Sequence, residues 1–372
     1  MNAALSLSAH DLTTPPLNVG ILNPSWTVLR HNTDQVCVND LATMNPRATG
    51  LMLQFLGTPW QQLWGNLGVG SQRVFKRSVL PALTLEPDER KIQVLYRYGL
   101  KVPGLVLSDR NKVPLMSTVG YPCLRHVMSR GDLYMEEEAQ RLDRHTSDSA
   151  LIHFHTDAMR EQYLLRRPAQ ASRCLSIPFY LPQLEFLSES EVRAKFDEQE
   201  TRVLFVGADG SRKGLEDLCR ALDLKARWLH ANGVHVHVVS RHAPNCQLFK
   251  HVSHQVRVGR DAVQSLMRRS HVYCMVPRHE SFGLVYVEAM AAGCAVIADD
   301  DLPRQEILDG GRCGRLVPAR SPLAIADALS GLVQDRAGAL SLALSGQRRA
   351  AQRYEPSRVA AAYAGTFRRM AG

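Results

Sequence analysis

Apolar and polar residues alternate in blocks along the second half of the chain, and one block organises the rest. Residues 271–299 run HVYCMVPRHESFGLVYVEAMAAGCAVIAD. An apolar run at 271–276 ends at Pro277 and a polar loop, 278–281. Phe282 and Gly283 lead into a run suited to a helix at 284–292, closed by Gly293. A second apolar run at 294–298 stops at Asp299, Asp300 and Asp301. Strand, loop, helix, strand is a βαβ unit, and its loop lies at the carboxyl end of a parallel strand, where open α/β sheets bind ligands. Glu280 lies in that loop. Glu288 lies in the helix with Val285, Tyr286, Val287, Ala289 and Met290 around it. A helix apolar on most of its circumference is a buried one, and a buried carboxylate needs a partner for its charge. Either a neighbouring Arg or backbone amides satisfy Glu288, or a ligand does. The free N–H groups of a helix start beside a Gly favour an anionic ligand.

The same rhythm predicts further strands at 202–206, 234–239, 256–258 and 315–317, and helices at 214–222, 261–268, 321–333 and 339–353. A closing helix, 357–371, follows Pro356. In the first half, strands are expected at 17–22, 92–96, 105–107, 113–118, 151–155 and 174–177. Helices are expected at 133–144 and at 157–167, the second capped by Thr156 and ended by Pro168. The region 31–70 shows no clear order except a helix-spaced stripe of Trp60, Leu63, Trp64 and Leu67, followed by Arg73, Lys76 and Arg77. Such a stripe either faces a core beside a solvated basic helix or rests on an anionic membrane. The polar, acidic stretch 182–201 separates two apolar-rich halves. The expected organisation is a Rossmann-like domain at 1–186 and a second at 187–356, with the helix 357–372 packing back on the first.

Length agrees with two domains, since 372 residues exceed one ordinary core. Hydrophobic content of 45% with mixed charge describes a globular chain. No apolar stretch reaches eighteen residues, and the first residues lack a basic start and a sustained apolar region, so neither a membrane span nor a secretory signal is expected. The eight cysteines are scattered without a CxxC pair, which fits a reducing cytoplasm better than a disulfide framework or a zinc site. A net charge of +9 favours anionic partners: a nucleotide, a phospholipid surface or nucleic acid.

A second candidate loop, GADGSRKG at 207–214, joins an expected strand to an expected helix. Gly207, Gly210 and Gly214 permit tight turns, and Arg212 and Lys213 set cations beside a helix start, a place suited to phosphates, although taken alone the stretch reads rather as a solvated basic turn. It is not a Walker A loop, because Gly214 rather than Ser or Thr follows Lys213. Both loops fall at carboxyl ends of strands in one sheet and could converge on one crevice. His153 with His155 and His235 with His237 alternate at a spacing a metal could use, but without a nearby carboxylate or Cys they are expected to be packing residues. The trio 299–301 is expected to be a strand-end turn rather than a metal site.

The run PRHESFGLVYVEAMAAGCAVIAD resembles the signature of retaining glycosyltransferases of the GT-B fold, family 4: Glu, seven residues, Glu, with FG after the first Glu and EAMA-G after the second. GADGSRKG resembles the same family's phosphate loop, ILDGGRCGRLVPARSPLAIADAL the stretch that follows the signature, and RYEPSRVAAAYAGTFRRM its closing helix. The signature looks closest to phosphatidylinositol mannosyltransferase-like members. The resemblance covers roughly 200–355 well and the first half loosely. It implies an α/β fold of two Rossmann-like domains facing a central cleft, with a nucleotide-diphospho-sugar held mainly by the second. On that pattern Lys213 binds the diphosphate and Glu280 holds donor-sugar hydroxyls; these are the two expected catalytic residues. The backbone at Ser281, Phe282, Gly283 and Leu284 meets phosphate and sugar, Glu288 takes the ribose hydroxyls, and Gly207 and Arg212 complete the donor site. Transfer would proceed with retention, the leaving diphosphate helping to take the acceptor proton, without metal or other cofactor. The acceptor implied is a lipid-linked or cell-envelope glycan, and the protein would be cytoplasmic with peripheral contact on an anionic membrane.

Two positions depart from the pattern. The family has Arg directly after the loop's first Gly, where this chain has Ala208. The family's T-V-H-G-Y-P appears as T-V-G-Y-P, with Thr118 and Val119 running straight into Gly120 and His126 the nearest His. These departures motivate one alternative, a degenerate GT-B protein that binds nucleotide or sugar without transfer; the basic charge leaves a second open, a glycosyltransferase acting on nucleic acid.

Overall fold

The computed structural model describes residues 17–22, 44, 49, 51–55, 83–85, 93–97, 105–107, 113–119, 143, 146–256, 258–278, 280 and 282–372. The Trp60 to Arg77 stripe, Gly120, His126, Ser281 and all of the expected helix 133–144 except Asp143 lie outside these residues. The chain divides into two compact units: Met1–Pro182 together with Pro356–Gly372, and Gln183–Glu355. The border thus falls at 182/183 rather than 186/187.

In the first unit the strands are β1 (Leu17–Leu22), β2 (Leu51–Phe55), β3 (Leu83–Leu85), β4 (Val94–Arg97), β5 (Leu105–Leu107), β6 (Leu115–Thr118), β7 (Leu151–Phe154) and β8 (Cys174–Ser176). Six form a parallel sheet in the order β2-β1-β4-β6-β7-β8, and β3 pairs with β5 separately. Helix α1 (Asp157–Arg166) is capped as expected: Thr156 accepts from the Met159 amide at 3.1 Å. His153 and His155 lie in this core. Nε2 of His153 donates to the Ile177 carbonyl at 2.8 Å, and its Nδ1 stands 3.0 Å from Thr118 Oγ1. His155 stacks on Phe179 with ring centroids 3.5 Å apart.

The second unit starts with α2 (Glu189–Phe196), inside the stretch expected to be a polar border. Ser188 and Glu191 form a capping box, and Glu189 pairs with Arg193 one turn on at 2.5 Å. Val192 and Phe196 are buried, so a mostly polar sequence still buries one face. Then come β9 (Thr201–Val206), α3 (Gly210–Lys213), α4 (Leu215–Leu224), α5 (Ala226–Ala231), β10 (Val234–Val239), β11 (Val252–Gln255), α6 (Arg260–Arg269), β12 (Val272–Cys274), α7 (Leu284–Ala291), β13 (Ala295–Asp299), α8 (Leu302–Ile307), β14 (Arg315–Val317), α9 (Pro322–Gln334) and α10 (Arg336–Tyr354). Strand β11 lies upstream of the expected 256–258. Its alternately half-buried and exposed residues carry little apolar signal, because it is the edge strand of its sheet. All pairings are parallel and the order is β11-β10-β9-β12-β13-β14. Counting from β9, that is the doubly-wound order 3-2-1-4-5-6, which reverses direction between β9 and β12. Every residue of β13 is buried, as a sheet covered on both faces requires. Tyr286, Val287, Ala289, Met290 and Ala291 bury one side of α7, the larger side chains contributing about 1.5–3 kcal/mol each. The last helix, α11 (Pro356–Ala371), belongs to the first unit, where Tyr363 and Phe367 pack edge-on against Tyr96 at 6.1 and 5.8 Å.

The buried imidazoles are expected to make the chain acid-labile. Desolvation pulls His153 down to about 4, and does the same to His271 in the second unit. In an unfolded chain these groups titrate near 6.5. Between about pH 6.5 and 4 the unfolded state therefore binds more protons, so stability is full above that window and is lost as pH falls through it. His153 alone contributes about 3 kcal/mol over this range. A urea midpoint that does not fall between about pH 7 and 4.5 would contradict this.

Candidate functional site

The two candidate loops flank the switch point of the second sheet. One follows β9 and the other follows β12, its immediate neighbour. The stretch 207–214 is not an open glycine loop. Residues Gly210–Lys213 wind into one helical turn, with Asp209 accepting from the Arg212 amide at 3.3 Å. Three amides of this stretch are engaged within the unit: Gly207 donates to Val239 O at 2.9 Å, Gly210 to His242 Nδ1 at 3.0 Å and Lys213 to Asp209 O at 2.9 Å. What the turn presents is side-chain charge, with Lys213 at its end. Gly207 contributes space, since a Cβ there would stand 2.8 Å from Cβ of Lys213. Gly214 then takes a left-handed conformation (φ 85°) and passes against the end of β12; a Cβ would lie 2.1 Å from the Val276 carbonyl oxygen.

The loops are stitched to each other. The Arg278 amide donates to Arg212 O at 3.0 Å, and the Arg278 guanidinium pairs with Glu216 on α4 at 2.9 Å. Across this seam Lys213 Nζ forms an ion pair with Glu280, both side chains largely buried. Burial pushes the Glu280 carboxyl up, but Lys213, Arg304 and Arg212 more than offset it and hold it below its ordinary value. Glu280 is therefore a carboxylate at neutral pH.

Arg304, on α8, lies outside the expected site residues. It is fully buried and wraps Asp299 with two hydrogen bonds, Nε to Oδ1 at 2.9 Å and Nη2 to Oδ2 at 2.6 Å. Nη2 also reaches Asp301 at 2.8 Å, and Nη1 donates to the backbone carbonyl of Glu280 at 3.0 Å. Burial disfavours this cation, and Asp299 more than offsets that, so the guanidinium stays protonated. The acidic trio is thus more than a strand-end turn: two of its members hold a buried Arg. An acidic pair three and five positions before an Arg is the only sequence cue. Arg241, beyond β10, also lies outside the expected site residues; its Nε donates to the Ala208 carbonyl at 3.2 Å.

Other expected donor residues are placed as follows. Phe282 is buried edge-on against Tyr354 at 6.0 Å. Gly283 caps α7 in the left-handed conformation, and Leu284 is its first residue. Arg212 is half exposed, 3.7 Å from Asp209. Glu288 is less buried than its apolar neighbours implied. Its carboxylate lies 3.5 Å from the Arg260 guanidinium, in a groove that includes Gln264, Met267 and Arg268. Geometry therefore joins Lys213, Glu280 and Arg304, and pairs Glu288 with Arg260 of α6. Among the described residues no group of three or more His, Cys, Asp or Glu is placed to hold a metal ion.

Residues 188–351 match the family model described as glycosyl transferases group 1. The phosphatidyl-myo-inositol mannosyltransferase of Mycolicibacterium smegmatis is 38% identical over 143 residues, which are 36% of this chain and 36% of that protein. The match thus spans about a third of that relative's length. Among solved structures, Anabaena Alr3699/HepE in complex with UDP and glucose superposes with a TM-score of 0.65 at 14% identity, over 95% of this chain and 100% of that one. WaaG, a glycosyltransferase involved in lipopolysaccharide biosynthesis, gives a TM-score of 0.63 at 14% identity, over 94% of this chain and 99% of that one. The two parallel sheets are those of the GT-B fold, and residues 188–351 are a glycosyl transferases group 1 domain related to that of the phosphatidyl-myo-inositol mannosyltransferases.

Proposed function

We propose that this chain is a retaining glycosyltransferase that moves a hexosyl group from a nucleotide-diphospho-sugar to a lipid-linked acceptor. The observation that carries this reading is the Lys213–Glu280 pair at the sheet's switch point, where an anion and sugar hydroxyls can be met side by side. Lys213, with Arg212 beside it, takes the diphosphate; a cation fixed in a largely buried setting stabilises charge that grows as the bond to the sugar breaks. Glu280, held as a carboxylate, accepts hydrogen bonds from donor-sugar hydroxyls and orients the ring. Glu288 accepts the ribose hydroxyls, with Arg260 steadying it. The acceptor oxygen bonds to the anomeric carbon from the side the diphosphate leaves, the carbon–oxygen bond to phosphate breaks, and the acceptor proton passes to the departing diphosphate. These cations supply the positive charge that the departing diphosphate requires.

The acceptor class rests on the relatives: one acts, by name, on phosphatidyl-myo-inositol, and one structural neighbour serves lipopolysaccharide synthesis. A net charge of +9 suits peripheral contact with anionic lipid at a cytoplasmic face, and no described helix is long and apolar enough to cross a membrane. The test is a thermal-shift panel of UDP, GDP, ADP and TDP with their sugars. A ligand at about a hundred times its Kd should add about 2.7 kcal/mol and raise the melting point visibly. Silence across the panel would sink the reading. Binding without hydrolysis or transfer would favour the binding protein that the departures at Ala208 and Gly120 raise.

A further inference from the structure

We infer that Arg304 is a positioning residue, which fixes the backbone of Glu280 so that its carboxylate meets the donor sugar, and so sets how far the site prefers a sugar nucleotide to a bare nucleoside diphosphate. This rests on the donor site proposed above.

Three observations support it. First, Arg304 does more than balance a buried charge. The two-pronged contact with Asp299 already does that, yet Nη1 reaches on to one particular carbonyl, that of Glu280, at 3.0 Å. That carbonyl belongs to the residue whose side chain pairs with Lys213. Second, the guanidinium is itself held from both sides. Asp299 ends β13, and Asp301 accepts from Arg304 at 2.8 Å while its other oxygen accepts from the Leu302 amide at 2.8 Å, capping α8. A planar fork gripped by two carboxylates has little freedom to rotate, so the direction of Nη1 is fixed. Third, the contact completes a path through three loops: from the end of β13 through Arg304 to the loop after β12, and through Glu280 to Lys213 after β9. A carboxylate that orients a sugar ring must be placed to within a fraction of an ångström. Here the main chain is held by Arg304, which leaves the carboxylate to Lys213 and the sugar. A lysine at 304 would keep the charge beside Asp299, but a single ammonium cannot grip Asp299 with two prongs and also reach the Glu280 carbonyl.

The test uses the full chain with Arg304→Lys and Asp301→Asn; asparagine also caps a helix start, so the second substitution loosens the guanidinium without removing the cap. Affinities for UDP against UDP-glucose and GDP against GDP-mannose are measured by calorimetry, with turnover of the sugar nucleotide. In Arg304→Lys, affinity for the bare diphosphate is expected to stay within about threefold, while turnover and the preference for the sugar nucleotide fall about tenfold or more. Asp301→Asn should show the same split, smaller in size. A merely structural role would weaken both ligands together. A folded Arg304→Lys with turnover and preference unchanged overturns the inference. If that variant does not fold, Asp301→Asn decides by the same split, and parent-like values there overturn it. A parent chain that binds none of these ligands overturns the donor site and this inference with it; a parent that binds them while the variants match it overturns this inference alone.

Discussion

Replacing Lys213 with methionine is expected to lower nucleoside diphosphate affinity by about a hundredfold, while Glu280→Gln leaves that affinity unchanged or raises it. The opposite signs follow from one geometry. Lys213 is paired with Glu280, so any diphosphate at Lys213 competes with a carboxylate already there. Methionine keeps the unbranched stem that fits beside Gly207 and removes the charge. Glutamine keeps the shape of Glu280, still accepts a hydrogen bond from Lys213, and removes the competing anion. Transfer should fall by about a hundredfold or more in both variants, because one loses the diphosphate and the other loses the orienting acceptor for the sugar. The Glu280 carboxyl should also titrate higher in Lys213→Met, since Lys213 is foremost among the charges that hold it down against burial. Calorimetry with UDP and GDP on the two variants separates these expectations. A Glu280→Gln chain that binds diphosphate as weakly as Lys213→Met would show that the pair does not compete with the ligand.

Gly214→Ala is expected to destabilise the second unit by about 3 kcal/mol or more, with nucleotide binding lost as well. Two costs add. The left-handed conformation at φ 85° costs an alanine about 1 kcal/mol. The larger cost is space: the new Cβ would stand 2.1 Å from the Val276 carbonyl, a backbone atom two residues past the central strand β12 and not the movable end of a side chain. The chain must then part the two loops, and with them Lys213 from Glu280. Gly233 supplies the control. Its φ is 62° and nothing lies within 4 Å of its would-be Cβ, so Gly233→Ala should carry only the conformational cost of about 1 kcal/mol. For a unit of about 170 residues the two substitutions should lower the melting temperature by roughly 6–12 °C and 2–4 °C respectively. Equal shifts would mean that the contact with Val276 yields at no cost.

Much of the second unit was legible in the chain, because its signals are local. Continuous apolar runs marked the buried strands β9, β12 and β13, and Gly283 and Gly293 bracket α7 closely. Elements whose burial is one-sided or partial were harder to read. Helix α2 lies in a run dominated by Glu and other polar residues, with only Val192 and Phe196 marking its buried apolar side. Edge strand β11 has neither a buried run nor a clean alternation of apolar residues. The turn at Gly210–Lys213 is too short for any periodic signal, so the chain does not show that Lys213 closes a helical turn.

The sequence by itself determined the alternation of strand and helix and the placing of both loops at strand ends. Each depends on neighbours within a few positions. Only the tertiary structure decided which charges meet. Lys213 and Glu280 stand 67 positions apart and touch because β9 and β12 are adjacent where the strand order reverses. Glu288 and Arg260 meet because α6 and α7 lie side by side. Arg304 reads in the chain as an ordinary surface charge, since burial of an arginine follows from the carboxylates folded around it and leaves no periodic trace. The site rests on strand order and loop contact, which the chain acquires only when it packs.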